Sequence, residues 1–279
     1  MRTLTLLLDP DSPAQTRMSL RAAADRRGVA WTEVVVSAFD PLTPPLPPGD
    51  LLFTPGISAA AFEAQAALWQ PGVGTVFRGP QGPLRMVTDP ATALVRAGLP
   101  MPREVRVRSA QPAFLARVVQ ALGGLPVIVR ADGGEGGERV SRADSMPGLV
   151  SLVGMLLSLG HAPRLVAFVP EAVHWRVVVV AGVAVAAYVN PLRDDDFRSE
   201  PTDEPTDYTA TPPAGIAEPA IAACEALGVD LGGVDVLLHP SGRPYLLEVN
   251  TPCYFAQSER FGLDVAGPLI DALVHAATP

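Results

Sequence analysis

Residues 232–250, GGVDVLLHPSGRPYLLEVN, constrain the fold more than any other stretch, because two apolar strands joined by one short turn carry Asp235, Glu248 and Asn250. The centre, HPSGRP, is turn-forming and its flanks are rich in Val and Leu, so a β-hairpin is expected. Side chains alternate faces along a strand, which puts Glu248 and Asn250 on one face and Leu247 and Val249 on the other. A hairpin symmetric about Ser241 and Gly242 sets Asp235 opposite Glu248, with Cβ atoms about 4.5–5.5 Å apart. Two carboxylates that close among apolar neighbours repel, and one must stay protonated or meet a cation. With Asn250 they present three hard oxygen ligands, a set suited to Mg²⁺. Two other readings stay open: the acids can be edge charges on a solvated face, and a register slip of one residue separates them.

The rest of the chain restricts what such a hairpin can belong to. At 279 residues with 48% hydrophobic residues, one large domain or two modest ones with a sizeable core are expected. A net charge of −8 without a Lys/Arg-rich run argues against a nucleic-acid surface. Cys224 and Cys253 are too few for a disulfide framework and read as buried thiols in a reducing cytosol. The opening MRTLTLLLDPDS has an apolar run too short for a signal peptide. SMPGLVSLVGMLLSLGHAP is interrupted by Gly, Ser, Pro and His and reads as a buried helix, whereas VVVVAGVAVAAYVNPL, with Ala-Gly at its centre, reads as a hairpin. A cytoplasmic protein that spans no membrane is the expectation.

Residues 1–85 alternate strand and helix, which implies a small parallel α/β sheet. LTLLL, TEVVV, DLLFTPG and VGTVF read as its strands. SPAQTRMSLRAAADRRG reads as a helix with a Ser cap, and SAAAFEAQAALWQ as a second helix. No GxGxxG or GxxxxGK[ST] occurs there, so neither a Rossmann nor a P-loop site is supported. The proline-rich stretches 40–50 and 200–213 are loops, the second acidic and expected to be mobile. Beyond residue 86 come a helix to about Ala97, the strand REVRVRS, the helix QPAFLARVVQALGG and a strand–turn–strand unit, LPVIVRADGGEGGERVS. Strand signals in RLVAFVP, HWRVVVVAGVAVAAYVN and the acidic hairpin follow, and GLDVAGPLIDALVHAA closes as a helix. The tip glycines Gly133, Gly134, Gly136 and Gly137 lack Cβ atoms, so backbone N–H groups there can approach phosphate oxygens; a merely flexible tip is the equal alternative.

LPVIVRADGGEGGERV, HWRVVVVAGVAVAAYV and LGVDLGGVDVLLHPSGRPYLLEVNTPCYF, in that order and at those intervals, resemble the ATP-grasp superfamily. The pattern is most similar to the branch containing glutathione synthetase and the glutamate ligases that extend ribosomal-protein tails, and it covers about residues 86–279. The resemblance implies an α/β (α+β) ATP-grasp fold. A small N-terminal α/β domain (1–85) would precede an ATP-grasp domain (86–279), with a lid (about 124–170) bearing the Gly-rich hairpin and a C-terminal antiparallel sheet carrying the metal site.

It further implies ATP with Mg²⁺ or Mn²⁺ as cofactors. Asp235, Glu248 and Asn250 would hold the metal against the phosphates, and Arg130 with the four glycines would hold the phosphates themselves. The backbone of Ala167, Phe168 and Val169, with Glu171, would sit at adenine. Arg176 and Arg198 would face the transferring phosphoryl group. The implied activity is ligation of a carboxylate to an amine or thiol through an acyl phosphate, on small-molecule or peptide substrates. A homodimer is compatible with it. His174 shares a strand face with Arg176 and reads as a surface or packing residue. Three positions depart from the family pattern: Arg130 replaces a lysine, Pro90 replaces another, and Ala167 fills a usually acidic slot. A nucleotide-binding protein that has lost catalysis, or a plain α/β binding domain with fortuitous acids, are the competing readings.

Overall fold

The computed structural model describes residues 1–10, 12–39, 50–56, 58–78, 90–131, 139–192 and 196–277, and these form three sheets. The first is parallel, in the order β2-β1-β3, from β1 (Thr3–Leu8), β2 (Ala30–Val35) and β3 (Leu51–Phe53). The helices α1 (Ala14–Arg26) and α2 (Ala59–Leu68) connect them in the expected alternation. Ser58 caps α2 by accepting from the Ala61 N–H at 3.0 Å. Ser12 does not cap α1: Pro13 takes the cap position, and Ser12 Oγ accepts from the Asp9 N–H instead.

VGTVF does not become a strand. Gly74 makes one parallel bridge to Leu51, and the chain then crosses to pair Phe77 with Val229. Backbone bonds from Asp230 N to Val76 O (2.6 Å) and from Arg78 N to Gly228 O (2.8 Å) fasten this crossing. A Cβ at Gly74 would lie 2.0 Å from the Leu273 carbonyl, so the crossing requires glycine.

The second sheet is antiparallel, in the order β4-β7-β5-β6. It comprises β4 (Glu104–Arg106), β5 (Val127–Arg130), β6 (Val140–Ala143) and β7 (Arg164–Ala167). Helices α4 (Pro112–Leu122) and α5 (Met146–Ser158) share its core, which includes Val107, Leu115, Val127, Leu149 and Leu165. β5 and β6 pair as the Gly-rich unit requires, but Gly133, Gly134, Gly136 and Gly137 lie outside the described residues.

The third sheet, order β10-β9-β8-β11-β12, is antiparallel throughout. It is built from β8 (Val173–Val180), β9 (Val183–Val189), β10 (Tyr208–Thr209), β11 (Leu231–Leu238) and β12 (Pro244–Asn250). The Ala181-Gly182 turn has positive φ at both residues (48° and 78°), the geometry that suits a two-residue hairpin. α3 (Pro90–Arg96) and α6 (Ala217–Leu227) cover one face, burying Val177, Val179, Val234, Val236 and Leu246. The other face joins a core shared with the first sheet and with α8 (Ala266–Ala276) through Val178, Val180, Tyr188 and Leu231. α7 (Ala256–Arg260) precedes α8. The acidic stretch expected to be mobile is fastened: Tyr208 stacks on Tyr188 at 5.0 Å and donates to the Thr202 carbonyl, while Asp203 accepts from Arg260 at 2.7 Å.

Candidate active site

Asp235 pairs with Glu248 across the hairpin as the sequence predicts, but for a different reason. The loop is one residue longer than a two-residue turn, for the His239 N–H donates to the Arg243 carbonyl at 3.0 Å, and Val236 faces Leu246. A β-bulge at the Asp235/Val236 step then absorbs Leu247 and brings Glu248 opposite Asp235. Without that bulge Glu248 would fall on the face of Leu246, inside the α6 core.

One face of the third sheet therefore carries a polar row. Arg176 is the β8 partner of Asp235, His174 lies one pleat away, Tyr188 opposes Arg176 on β9, and Asn250 follows Glu248 on β12. Asp235 is nearly sealed, with its side chain 6% exposed, whereas Glu248 is 44% exposed. The Asp235 carboxylate accepts from Arg176 Nε (2.6 Å) and Nη2 (3.0 Å), a bidentate pair. His174 Nε2 lies 3.2 Å from Asp235 Oδ1, an ion-pair distance without the alignment of a full hydrogen bond. Burial alone pushes the Asp235 carboxyl up, but Arg176 and His174 outweigh it and hold it below the usual carboxylate range. Burial likewise opposes the charge of Arg176, and Asp235 more than restores it.

Glu248 has its own cation. Arg130 Nη2, at the end of β5 in the second sheet, donates to Glu248 Oε2 at 2.8 Å. Each acid thus meets an arginine, and the repulsion that appeared to demand a metal ion is relieved within the polypeptide. Asn250 Nδ2 donates to Asp235 Oδ2 (3.3 Å) and Glu248 Oε1 (3.4 Å), so its NH₂ stands between the two carboxylates. Among the described residues no three His, Cys, Asp or Glu gather as metal ligands. The Asp–Glu–Asn set nevertheless fits a hard divalent cation, provided the amide turns to offer Oδ1.

The glycines before Asp235 serve this arrangement. A Cβ on Gly233 would meet Arg176 Nη1 at 2.9 Å and Cys253 Cβ at 2.7 Å; one on Gly232 would meet Cys224 Sγ at 2.5 Å on the opposite face. The Arg176 side chain occupies space that a side chain at residue 233 would fill. Cys253 is buried beside it, and burial pushes its thiol up to about 12.

Other expected residues are dispersed. Arg198 is exposed and folds back onto Asp196 (Nε to Oδ2, 2.8 Å), while its neighbour Ser199 Oγ is hydrogen-bonded to His174 Nδ1. Ala167 donates its N–H to the Arg103 carbonyl at 2.8 Å, and Phe168 lies under Arg142. Val169 is half-buried, and Glu171 is exposed in a turn with φ of 56°. Pro90 opens α3. Sequence reasoning set His174 aside, although its two-residue spacing from Arg176 was the available signal. Ser199, Gly233 and the two acid–arginine pairings had none. A cavity of about 940 Å³ opens elsewhere, between Trp69, Phe77, Val183 and Ala272, and no residue of the acid cluster lines it.

The family described as RimK-like ATP-grasp domain matches residues 91–273. The ribosomal protein bS6–L-glutamate ligase of Salmonella paratyphi B is 29% identical over 189 residues, 67% of this chain; the chain spans 62% of that relative's length. Among solved structures, the ATP-grasp ligase PsnB complexed with minimal precursor, Mg and ADP superposes with a TM-score of 0.70 at 17% identity, covering 99% of this chain and 97% of PsnB. The D-cycloserine synthetase DcsG gives 0.72 at 20% identity, covering 99% of this chain and all of DcsG. At such identities these structures share the fold.

Proposed function

The chain belongs to the RimK-like ATP-grasp family, and from that premise we propose that it is an ATP- and Mg²⁺-dependent ligase joining a carboxylate to an amine. The observation that carries the reading is the convergence of Asp235, Glu248 and Asn250 on one sheet face, beneath Arg130 of the neighbouring sheet. Asp235, Glu248 and Asn250 would hold Mg²⁺, which neutralises charge on the phosphates when bound. Arg130 exchanges Glu248 for phosphate oxygens, and its planar fork donates to two of them at once. The substrate carboxylate oxygen attacks the terminal phosphorus and ADP leaves. The amine nitrogen then attacks the acyl carbon, and inorganic phosphate and a proton depart. Arg176, fixed on Asp235, lends positive charge to the face where the acyl phosphate forms. The second sheet acts as the lid that excludes water from that intermediate.

The relative is named for a ribosomal protein, and PsnB has been solved in complex with a precursor peptide, which supports a peptide-borne carboxylate here, with a small amine as its partner. Binding without ligation is the second reading, favoured by one observation: both acids are already neutralised by arginines.

Incubation with ATP, Mg²⁺ and pooled amino acids and peptides, with ADP release followed, decides between them. Release that depends on substrate and is lost in Glu248→Gln establishes ligation. Calorimetric ATP binding without turnover establishes the second reading, and absence of ATP binding overturns both.

A further inference from the structure

We propose that His174 is a positioning residue that ties the segment 196–200 to Asp235, so that ligand binding at the acid cluster and ordering of this segment form one equilibrium. The ligand half of this statement rests on the reading above; the structural half stands alone. His174 is held on three sides. Its carbonyl accepts from the Asn190 N–H at 2.8 Å, Nδ1 is hydrogen-bonded to Ser199 Oγ, and Nε2 lies 3.2 Å from Asp235 Oδ1. Its side chain is 14% exposed, so neither nitrogen is free to exchange partners readily.

The segment it grips is also joined to Pro191 and Leu192. Ser199 bridges Leu192, and Glu200 N donates to the Pro191 carbonyl at 3.3 Å. Through Ser199 and His174 the segment 196–200, which also carries Arg198, is linked to the carboxylate that Arg176 and Asn250 share. A cation or nucleotide that resets Asp235 acts on His174 at the same atom, Oδ1, and so on Ser199. Because coupling is reciprocal, a loop held in place favours the ligand by the same factor as the ligand favours the loop.

Two conservative substitutions separate the halves, since an Asn amide occupies the place of Nδ1 and a Gln amide that of Nε2. Hydrogen exchange over residues 196–209 is measured first on the unliganded protein. His174→Gln and Ser199→Ala should exchange about ten-fold faster than wild type, with His174→Asn close to wild type. Equal protection in all four proteins overturns the tether. Exchange is then repeated with Mg²⁺ and ADP, whose binding calorimetry measures separately. Wild type should gain about five-fold protection and His174→Asn none; an equal gain in the two overturns the coupling. Should wild type bind no Mg²⁺–ADP, the nucleotide reading and the coupling fall together, and the exchange of the unliganded proteins alone decides whether His174 tethers the loop.

Discussion

Replacing Arg176 with methionine keeps the unbranched apolar stem but removes the guanidinium on which Asp235 depends. Asp235 has its side chain 6% exposed and receives two of its hydrogen bonds from that one group. His174 and Asn250 remain, at 3.2 and 3.3 Å, and neither is a permanent cation. Stripping one partner from a buried pair destabilises by about 3–5 kcal/mol, and at about 2–4 °C per kcal/mol the melting temperature should fall by about 6–20 °C.

The pH dependence fixes the cause. In the native protein the Asp235 carboxyl is held below its ordinary value, so its stabilisation is present above the carboxylate range and is lost as pH falls through the folded pKa. In Arg176→Met, burial is left as the dominant influence and the folded pKa rises above the unfolded one. The variant is then penalised at neutral pH and relieved as pH falls toward the carboxylate range. Melting curves of both proteins from pH 7 down to pH 4 should therefore converge. The double variant Arg176→Met with Asp235→Asn should recover much of the loss at pH 7. A melting temperature within about 2 °C of wild type, or a deficit independent of pH, would refute the claim that the guanidinium neutralises a buried charge.

Other substitutions test other parts of the structure. Gln65 is fully buried on α2 with neither amide atom hydrogen-bonded among the described residues, so Gln65→Met should stabilise by about 1–3 kcal/mol in thermal denaturation; destabilisation would mean the amide is satisfied. Gly233→Ala and Gly232→Ala should each destabilise by about 1–3 kcal/mol through overpacking, but only Gly233→Ala should also weaken Mn²⁺ binding followed by paramagnetic resonance, because only its Cβ strikes Arg176. Equal weakening in both would dissociate the guanidinium from the metal face. Burial pushes the thiols of Cys224 and Cys253 up to about 12, so both should resist a thiol reagent at pH 8 and react in urea; rapid labelling of the native protein would contradict that burial.

What the chain determined by itself is what repeats locally. Short apolar and β-branched runs in TLTLLL, VHWRVVVV and PYLLEVN specified strands, and Ser58, Gly123 and the Ala-Gly pair specified a cap, a stop and a turn, because these effects operate within a few residues. The RimK-like fold was legible because the order of the Gly-rich unit, the arginine strand and the acidic hairpin survives in the sequence. The helix α6 was not foreseen: its AEPAIAACEAL has no polar face regular enough to announce it, and only the third sheet gives it something to cover. An idealised turn placed Asp235 opposite Glu248 correctly but misplaced the register between the turn and Val236, and tertiary packing made the acid pairing true. Once Leu246 was committed to the α6 core, Leu247 had to bulge for Glu248 to reach the opposite face. The partners of the two acids lie 59 and 118 residues away along the chain, on a strand and a sheet that composition cannot bring together. Which cation answers a buried carboxylate is settled by distance in space, and sequence spacing carries that information only within a single element.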